Sequence, residues 1–408
     1  MALSTTPIQP SLLSRTRLLG PAFVAAVAYV DPGNVATNTS AGASYGYLLL
    51  WVLVGATLMA GVIQYLSAKV GWLTGESLPA LVGARNGKRT RLVYWVQAEA
   101  VAMATDIAEI VGGALALQLL FGLPLPLGAV ITVAVSMGLL AVQSQRGQKP
   151  FERVITGMLA IVTIGFLAGL IVSPPDAEGA LRGLQPRLAG VDSALLAVGM
   201  LGATVMPHAV YLHSALVRDR HGKADAKRVS GVLGAIRLDV VLAMVLAGSV
   251  NISMLLLSAS ALFGLNLVGL TEVHTAITGN LGNVIGTLFA LALLASGLAS
   301  TSVGGYAGAV IMAGLLRRRI PLMARRILTA VPALGLLIWG LDPTRLLIWS
   351  QVILSFGIPF ALIPLVRIAR DKKLMALAPT RRTTVALAWL IAVLIIALNT
   401  VLLVLLLR

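Results

Sequence analysis

The stretch Ala28-Tyr29-Val30-Asp31-Pro32-Gly33-Asn34 decides how this chain folds. It interrupts a long apolar run. A proline inside a helix removes a backbone donor and clashes with the preceding turn, and the following glycine adds backbone freedom. The helix is expected to unwind here and to free carbonyl oxygens about one turn upstream, near Ala28. Asp31 brings a carboxylate, and Asn34 an amide oxygen, to mid-membrane depth. An ionisable group at that depth is costly and marks a functional position by default. A second break reads Ala203-Thr204-Val205-Met206-Pro207-His208. Pro207 frees carbonyls near Ala203, Met206 contributes a thioether, and His208 an imidazole.

Both breaks lie in a chain made for a bilayer. Of its 408 residues, 58% are hydrophobic and 11% charged, where soluble domains carry about 25% charge. Runs such as Thr384–Leu407 exceed the roughly 20 residues that span a membrane. The net charge of +16 would suggest nucleic acid in a soluble protein. Here the Lys and Arg gather in short loops between apolar runs, which membrane topology requires, so no nucleic-acid partner is expected. Cysteine is absent, which excludes disulfides, thiolate metal sites and Cys nucleophiles. Arg15 and Arg17 precede the apolar run Leu18–Val30 in the manner of a signal peptide, but the Asp31-Pro32 break belongs to a working helix and argues against cleavage.

Eleven spans are expected, at 18–42, 46–72, 92–121, 125–143, 153–173, 192–217, 231–259, 281–315, 324–341, 344–366 and 383–407. With the N-terminus inside, 27 of the 31 basic residues fall in alternate, inner loops, leaving only Arg182, Arg187, Arg345 and Arg408 outside. This asymmetry orients the chain with a cytoplasmic N-terminus and an external C-terminus. The expected organisation is a cytoplasmic tail (1–17), a five-helix repeat (18–173), an outer loop (174–191), a second repeat (192–366), a cytoplasmic loop (367–382) and a final span (383–408). Spans one and six each open a five-span block and each is broken. Because five is odd, the second block is inverted. Matching broken segments in two inverted halves point to a transporter binding site.

Facing each other, the breaks would form a mixed site: oxygens from Asp31, Asn34 and the backbone, and soft sulfur from Met206. Mg²⁺ and Ca²⁺ prefer oxygen and gain little from a thioether, whereas Mn²⁺, Fe²⁺ and later ions gain more. The donor set therefore reads as a filter for transition metals, although a proline can be only a kink and a methionine only packing. The third span carries Glu99, Asp106 and Glu109, spaced to share one helix face. They would form a proton relay, or ion pairs with Arg325 and Arg326 on the ninth span. His208 titrates near neutral pH when unperturbed. Asp31 would yield its proton to an arriving cation. Tyr211 and His213 read equally as packing or as an inner gate, and His221 and His274 as surface loop residues. Ser296, Gly297, Ser300, Gly304, Gly305 and Gly308 form a small-residue face suited to close helix packing.

Taken together, Asp31-Pro32-Gly33-Asn34 and Met206-Pro207-His208 resemble the Nramp family of proton-coupled metal transporters. So do Gln97 through Glu109, Tyr211 through Leu216, and Ser350 through Leu354. The similarity runs along essentially the whole chain, with a local departure at Ala209, where a polar residue is commoner. The resemblance implies an all-α membrane protein with the LeuT-like fold: two inverted five-helix repeats plus an eleventh helix, with helices 1 and 6 broken. It implies Mn²⁺ and Fe²⁺ as substrates, with Co²⁺, Cd²⁺ and Zn²⁺ following. It makes Asp31, Asn34 and Met206 metal ligands, the Ala28 and Ala203 carbonyls and Gln351 state-dependent ones, and Asp106 and Glu109 a proton route toward the cytoplasm. Arg325 and Arg326 would join that route, and His208 would serve the proton pathway or a gate. The implied partners are a divalent metal ion, protons and the lipid bilayer of a prokaryotic cell membrane, with a monomer sufficing and no cofactor.

Four other functions compete. A channel would need weak, multi-site binding; a carrier of Mg²⁺ would not need Met206. A LeuT-type carrier of an organic solute would hold a carboxylate at helix N-termini, which Asp31 disfavours. An enzyme would need a nucleophile–base or metal motif, and none has defensible spacing.

Overall fold

The computed structural model describes residues 20–407 except 223, 266, 268 and 318–321, without the side chains of 142–144, 148, 322 and 323. The expected tail at 1–17 with Arg15 and Arg17, and Lys223, Arg318, Arg319 and Arg408, lie outside the described residues.

Among those residues the chain is helical, with no strand. The first span is two pieces: α1 (Pro21–Val27), prolonged by a 3-10 turn at Ala28–Val30, and α2 (Pro32–Tyr45). Asp31, between them, is extended, with φ −70° and ψ 168°. Then come α3 (Leu50–Thr74), a short α4 (Leu78–Arg85), α5 (Lys88–Phe121), α6 (Leu125–Arg146) and α7 (Gln148–Val172). The connection to the second half holds a short α8 (Ala177–Arg182). The sixth span is α9 (Val191–Thr204) and α10 (Pro207–His221). It is followed by α11 (Val229–Ala261), a short α12 (Leu270–Leu281), α13 (Asn283–Leu316), α14 (Leu322–Ile338), α15 (Pro343–Arg370) and α16 (Arg382–Leu406). Each of the eleven expected spans has a helical counterpart. Among the described residues, eight of these spans are long and apolar enough to cross a membrane. The short helices α4, α8 and α12 were not expected, because they are too brief to leave an apolar run.

Burial separates inner from outer helices. The apolar window of the sixth span is 94% buried and that of α5 83%, against 28% for α16. An amphipathic moment is not needed for this: in lipid the outer helices are apolar all round. The two broken spans occupy the centre. α11 lies along α2, α9 along α15, and α13 along α5. Glycine makes the closest approaches possible. A Cβ at Gly202 of α9 would strike the Gln351 carbonyl of α15, and one at Gly112 of α5 would strike the Pro32 ring.

Candidate functional site

The first break follows from simple backbone accounting, since every buried carbonyl needs a donor. Pro32 has no N–H for the Ala28 carbonyl. The next two carbonyls are served by other helices: Asn251 Nδ2 of α11 donates to Tyr29 O (2.6 Å), and Ser296 Oγ of α13 to Val30 O (2.6 Å). Asn251 Oδ1 in turn accepts from Asn38 Nδ2 at 2.9 Å. The N–H of Asn34 is taken by Asp31 Oδ1 (2.7 Å), so Asp31 caps α2.

The two breaks meet at Asn34. Its Nδ2 donates to Asp31 Oδ1 (2.8 Å) and to the Ala203 carbonyl (2.9 Å), which Pro207 leaves without an N–H partner. From α15, Gln351 Nε2 donates to the other Asp31 oxygen at 3.2 Å. Gln351 lies over Gly33, where a Cβ would collide with its side chain. Met206 stands at the second break as the extended residue before α10, with no capping bond from its side chain. Asp31, Asn34, Met206 and Gln351 are all 0% exposed. Asn34 Oδ1 and Gln351 Oε1 are buried acceptors with no hydrogen-bond donor. A carboxylate, two orphaned amide oxygens and a freed carbonyl thus belong to one buried meeting point. Such a set suits a cation. It is not a His/Cys/carboxylate cluster: among the described residues no three of those side chains converge.

The ionisable residues of α5 form a second, adjoining layer. Arg325 Nη2 reaches Glu99 Oε1 at 2.8 Å, and Arg326 Nη1 pairs with Asp106 Oδ1. Both arginines come from α14. Glu109, also buried, keeps Oε2 unpartnered. His208 Nδ1 lies 3.3 Å from Thr105 Oγ1, beside Asp106 in the chain, and its Nε2 has no partner. The small-residue face of α13 accommodates this layer. A Cβ at Gly304 would sit 2.9 Å from both carboxylate oxygens of Glu109, and one at Gly308 would collide with the Arg325 guanidinium.

Three further side chains join the breaks. Gln64 of α3 donates to the Tyr29 hydroxyl, and its Oε1 lies 2.6 Å from His213 Nδ1. Tyr29 belongs to the first span and His213 to the sixth, so Gln64 ties their halves together. The Tyr211 hydroxyl bonds the Phe360 carbonyl of α15 (3.2 Å). Sequence reasoning missed Gln64, Asn38 and Asn251; the available signal was a lone amide inside an apolar span. It also misplaced two histidines. His221 is the buried last residue of α10. His274 belongs to α12, half-buried, its ring 6.3 Å from that of Phe289. Helix continuation past the last apolar residue accounts for the first, and the short α12 for the second.

Two discontinuous spans in the halves of an eleven-span bundle, meeting at a shared polar point, define a membrane protein of the LeuT-like fold. Mhp1, described as a nucleobase-cation-symport-1 family transporter, shares that fold and no more. Its TM-score is 0.60 at 17% identity, covering 98% of this chain and 93% of that one. A manganese transporter of Eremococcus coleocola superposes more closely, with a TM-score of 0.82 at 30% identity, over 98% of this chain and 90% of that one. The divalent metal cation transporter MntH of Mycobacterium tuberculosis is 53% identical over 394 residues, 96% of this chain and 92% of the relative. The profile described as Nramp, natural resistance-associated macrophage protein-like, matches residues 22–405. The chain belongs to the Nramp family.

Proposed function

We propose that this protein carries divalent transition-metal ions, Mn²⁺ and Fe²⁺ foremost, together with protons across a prokaryotic cell membrane by alternating access. The observation that carries the reading is the convergence at Asp31. Two orphaned amide oxygens adjoin this buried carboxylate at the first break, and Asn34 bonds it to the Ala203 carbonyl of the second break, where Met206 precedes α10. The names of the mycobacterial and Eremococcus proteins, a divalent metal cation transporter and a manganese transporter, support the same substrate class.

On this reading the ion takes the place of two N–H donors. The amides of Asn34 and Gln351 turn over, presenting Oδ1 and Oε1 in place of nitrogen, and the Ala203 carbonyl is released from Asn34. The Ala28 carbonyl, which Pro32 cannot serve, and the Met206 thioether complete the shell. Sulfur favours Mn²⁺ and Fe²⁺ over the alkaline earths. The proton leaves Asp31 as metal arrives and passes His208, Glu109 and Asp106; Glu99, Arg325 and Arg326 hold that route in place. The orientation proposed from the Lys and Arg distribution puts the 1–17 tail and the 367–382 loop in the cytoplasm, with the protein working as a monomer and without a cofactor.

The test is Mn²⁺ uptake into proteoliposomes in excess Mg²⁺ and Ca²⁺, with internal pH recorded. Saturable entry with internal acidification is expected, with Asp31→Ala abolishing metal entry and Asp106→Asn weakening the proton signal. Folded, inserted protein that moves no Mn²⁺ refutes the metal reading. Proton flux unchanged in both variants refutes the route.

A further inference from the structure

Away from the central site, a cavity of about 490 Å³ lies where α15 ends and α16 begins. We propose that it holds the headgroup of an anionic phospholipid whose acyl chains run along α16.

The charge in this cavity is one-sided. Arg370, Lys372 and Arg382 line it, and its lining includes no carboxylate. The nearest acid in sequence, Asp371, is engaged elsewhere: it holds Arg85 at 2.6 Å and accepts the Lys373 and Leu374 N–H groups at 2.9 and 3.3 Å. Lys69 of α3 stands directly behind the wall. Only 5% exposed, its ammonium donates to Thr380 Oγ1, a lining residue, at 3.1 Å. Among the described residues none of these four cations has an acidic partner within ion-pair distance. A buried ammonium facing only a hydroxyl is costly unless a counter-charge is supplied. A phosphate in the cavity would supply it.

The setting selects a lipid phosphate over a soluble one. One wall is the first turns of α16, including Val385 and the half-buried Trp389. Trp concentrates at membrane–water boundaries, and basic pockets between membrane helices bind anionic headgroups there. Beyond the wall, α16 turns Leu387, Leu390, Val393 and Leu394 outward, 43–59% exposed. This is an apolar track leading from the headgroup into the bilayer. α15 also carries Gln351, and α16 is bonded to it through Ser355 Oγ and Asn399 Oδ1 at 2.7 Å. A lipid bridging Arg370 and Arg382 would fasten the same two helices at their other end.

The experiment uses the full chain, stripped of lipid in neutral detergent. It is titrated with phosphatidylglycerol or with phosphatidylcholine of the same chains, and read by native mass spectrometry and by melting temperature. Phosphatidylglycerol is expected to bind at least tenfold more tightly and to raise the melting temperature. The combined Arg370→Gln, Lys372→Gln and Arg382→Gln variant should lose that preference. A Lys88→Gln, Arg89→Gln pair, at the start of α5, should keep it. Should the triple variant not fold, Arg382→Gln alone is expected to weaken the preference about threefold. Equal binding of both lipids, or an unchanged preference in the variants, overturns the proposal. Inorganic phosphate stabilising as well as phosphatidylglycerol identifies a soluble-anion site and also overturns the lipid assignment.

Discussion

Replacing Asn251 by leucine would leave two buried polar groups without partners at once. Asn251 bonds the Tyr29 carbonyl at 2.6 Å and the Asn38 amide at 2.9 Å, and leucine is similar in size. Each orphaned buried group costs about 1–3 kcal/mol, so Asn251→Leu should destabilise by roughly 2–6 kcal/mol. Asn38→Leu removes the bond to Asn251 and a long N–H···S contact to Met254 Sδ (3.9 Å), orphans only the Asn251 oxygen, and should cost about 1–3 kcal/mol. In the double variant the Asn38 amide no longer exists to be orphaned, leaving the Tyr29 carbonyl alone. It should therefore be more stable than Asn251→Leu, despite carrying an extra substitution. The assay is denaturant unfolding in detergent, with stabilities from linear extrapolation and the coupling from the double-mutant cycle. Additive losses, or an Asn251→Leu variant within about 0.5 kcal/mol of the parent, would refute the account of how the first break is held open.

Other expectations are as direct. Met206→Ala should leave Mn²⁺ uptake measurable while Mg²⁺ and Ca²⁺ become effective competitors, because the remaining donors are oxygen; competition assays at fixed Mn²⁺ check this. Gly33→Ala should displace Gln351 from Asp31, so its effect on Mn²⁺ affinity should vanish in a Gln351→Ala background; isothermal titration of the four proteins decides. At the loop, the Arg85 guanidinium and the Leu374 and Lys373 N–H groups hold the Asp371 carboxyl below the usual carboxylate range. A folded value that is depressed adds stability above the unfolded value, about 3.9, and loses it as pH falls through the folded one. Arg85→Gln should thus lower the melting temperature slightly at neutral pH, with the two curves converging below about pH 3.

The breaks were legible because their cause is local. A proline lacks its N–H wherever it stands, so Pro32 and Pro207 announce freed carbonyls from sequence alone. Asp31, Asn34 and the acids of α5 were legible for a related reason, since charge and amide are conspicuous in apolar text. Pairing was less so. That Arg325 takes Glu99 while Arg326 takes Asp106 depends on how α14 lies against α5, and helix rotation is a tertiary quantity. Asn251, Gln64 and Asn38 escaped notice altogether. Each is one amide residue in an apolar span, and its meaning lies in a partner more than thirty residues away. Gly304 and Gly308 were read as packing, and they are, but what packs against them is a carboxylate and a guanidinium.

The bond from Asn34 to the Ala203 carbonyl bears on the journey a carrier makes with nothing aboard. On the proposed reading the protein must reset between its two states with the site empty, and a bare cluster of buried oxygens would be costly to leave without donors. Asn34 Nδ2 bonds both Asp31 and that carbonyl, so on that reading an amide would stand in for the absent cation. An arriving ion would then have to displace this amide as well as shed its own water. Affinity would thereby be held below what the donor set alone offers, which would favour release on the far side.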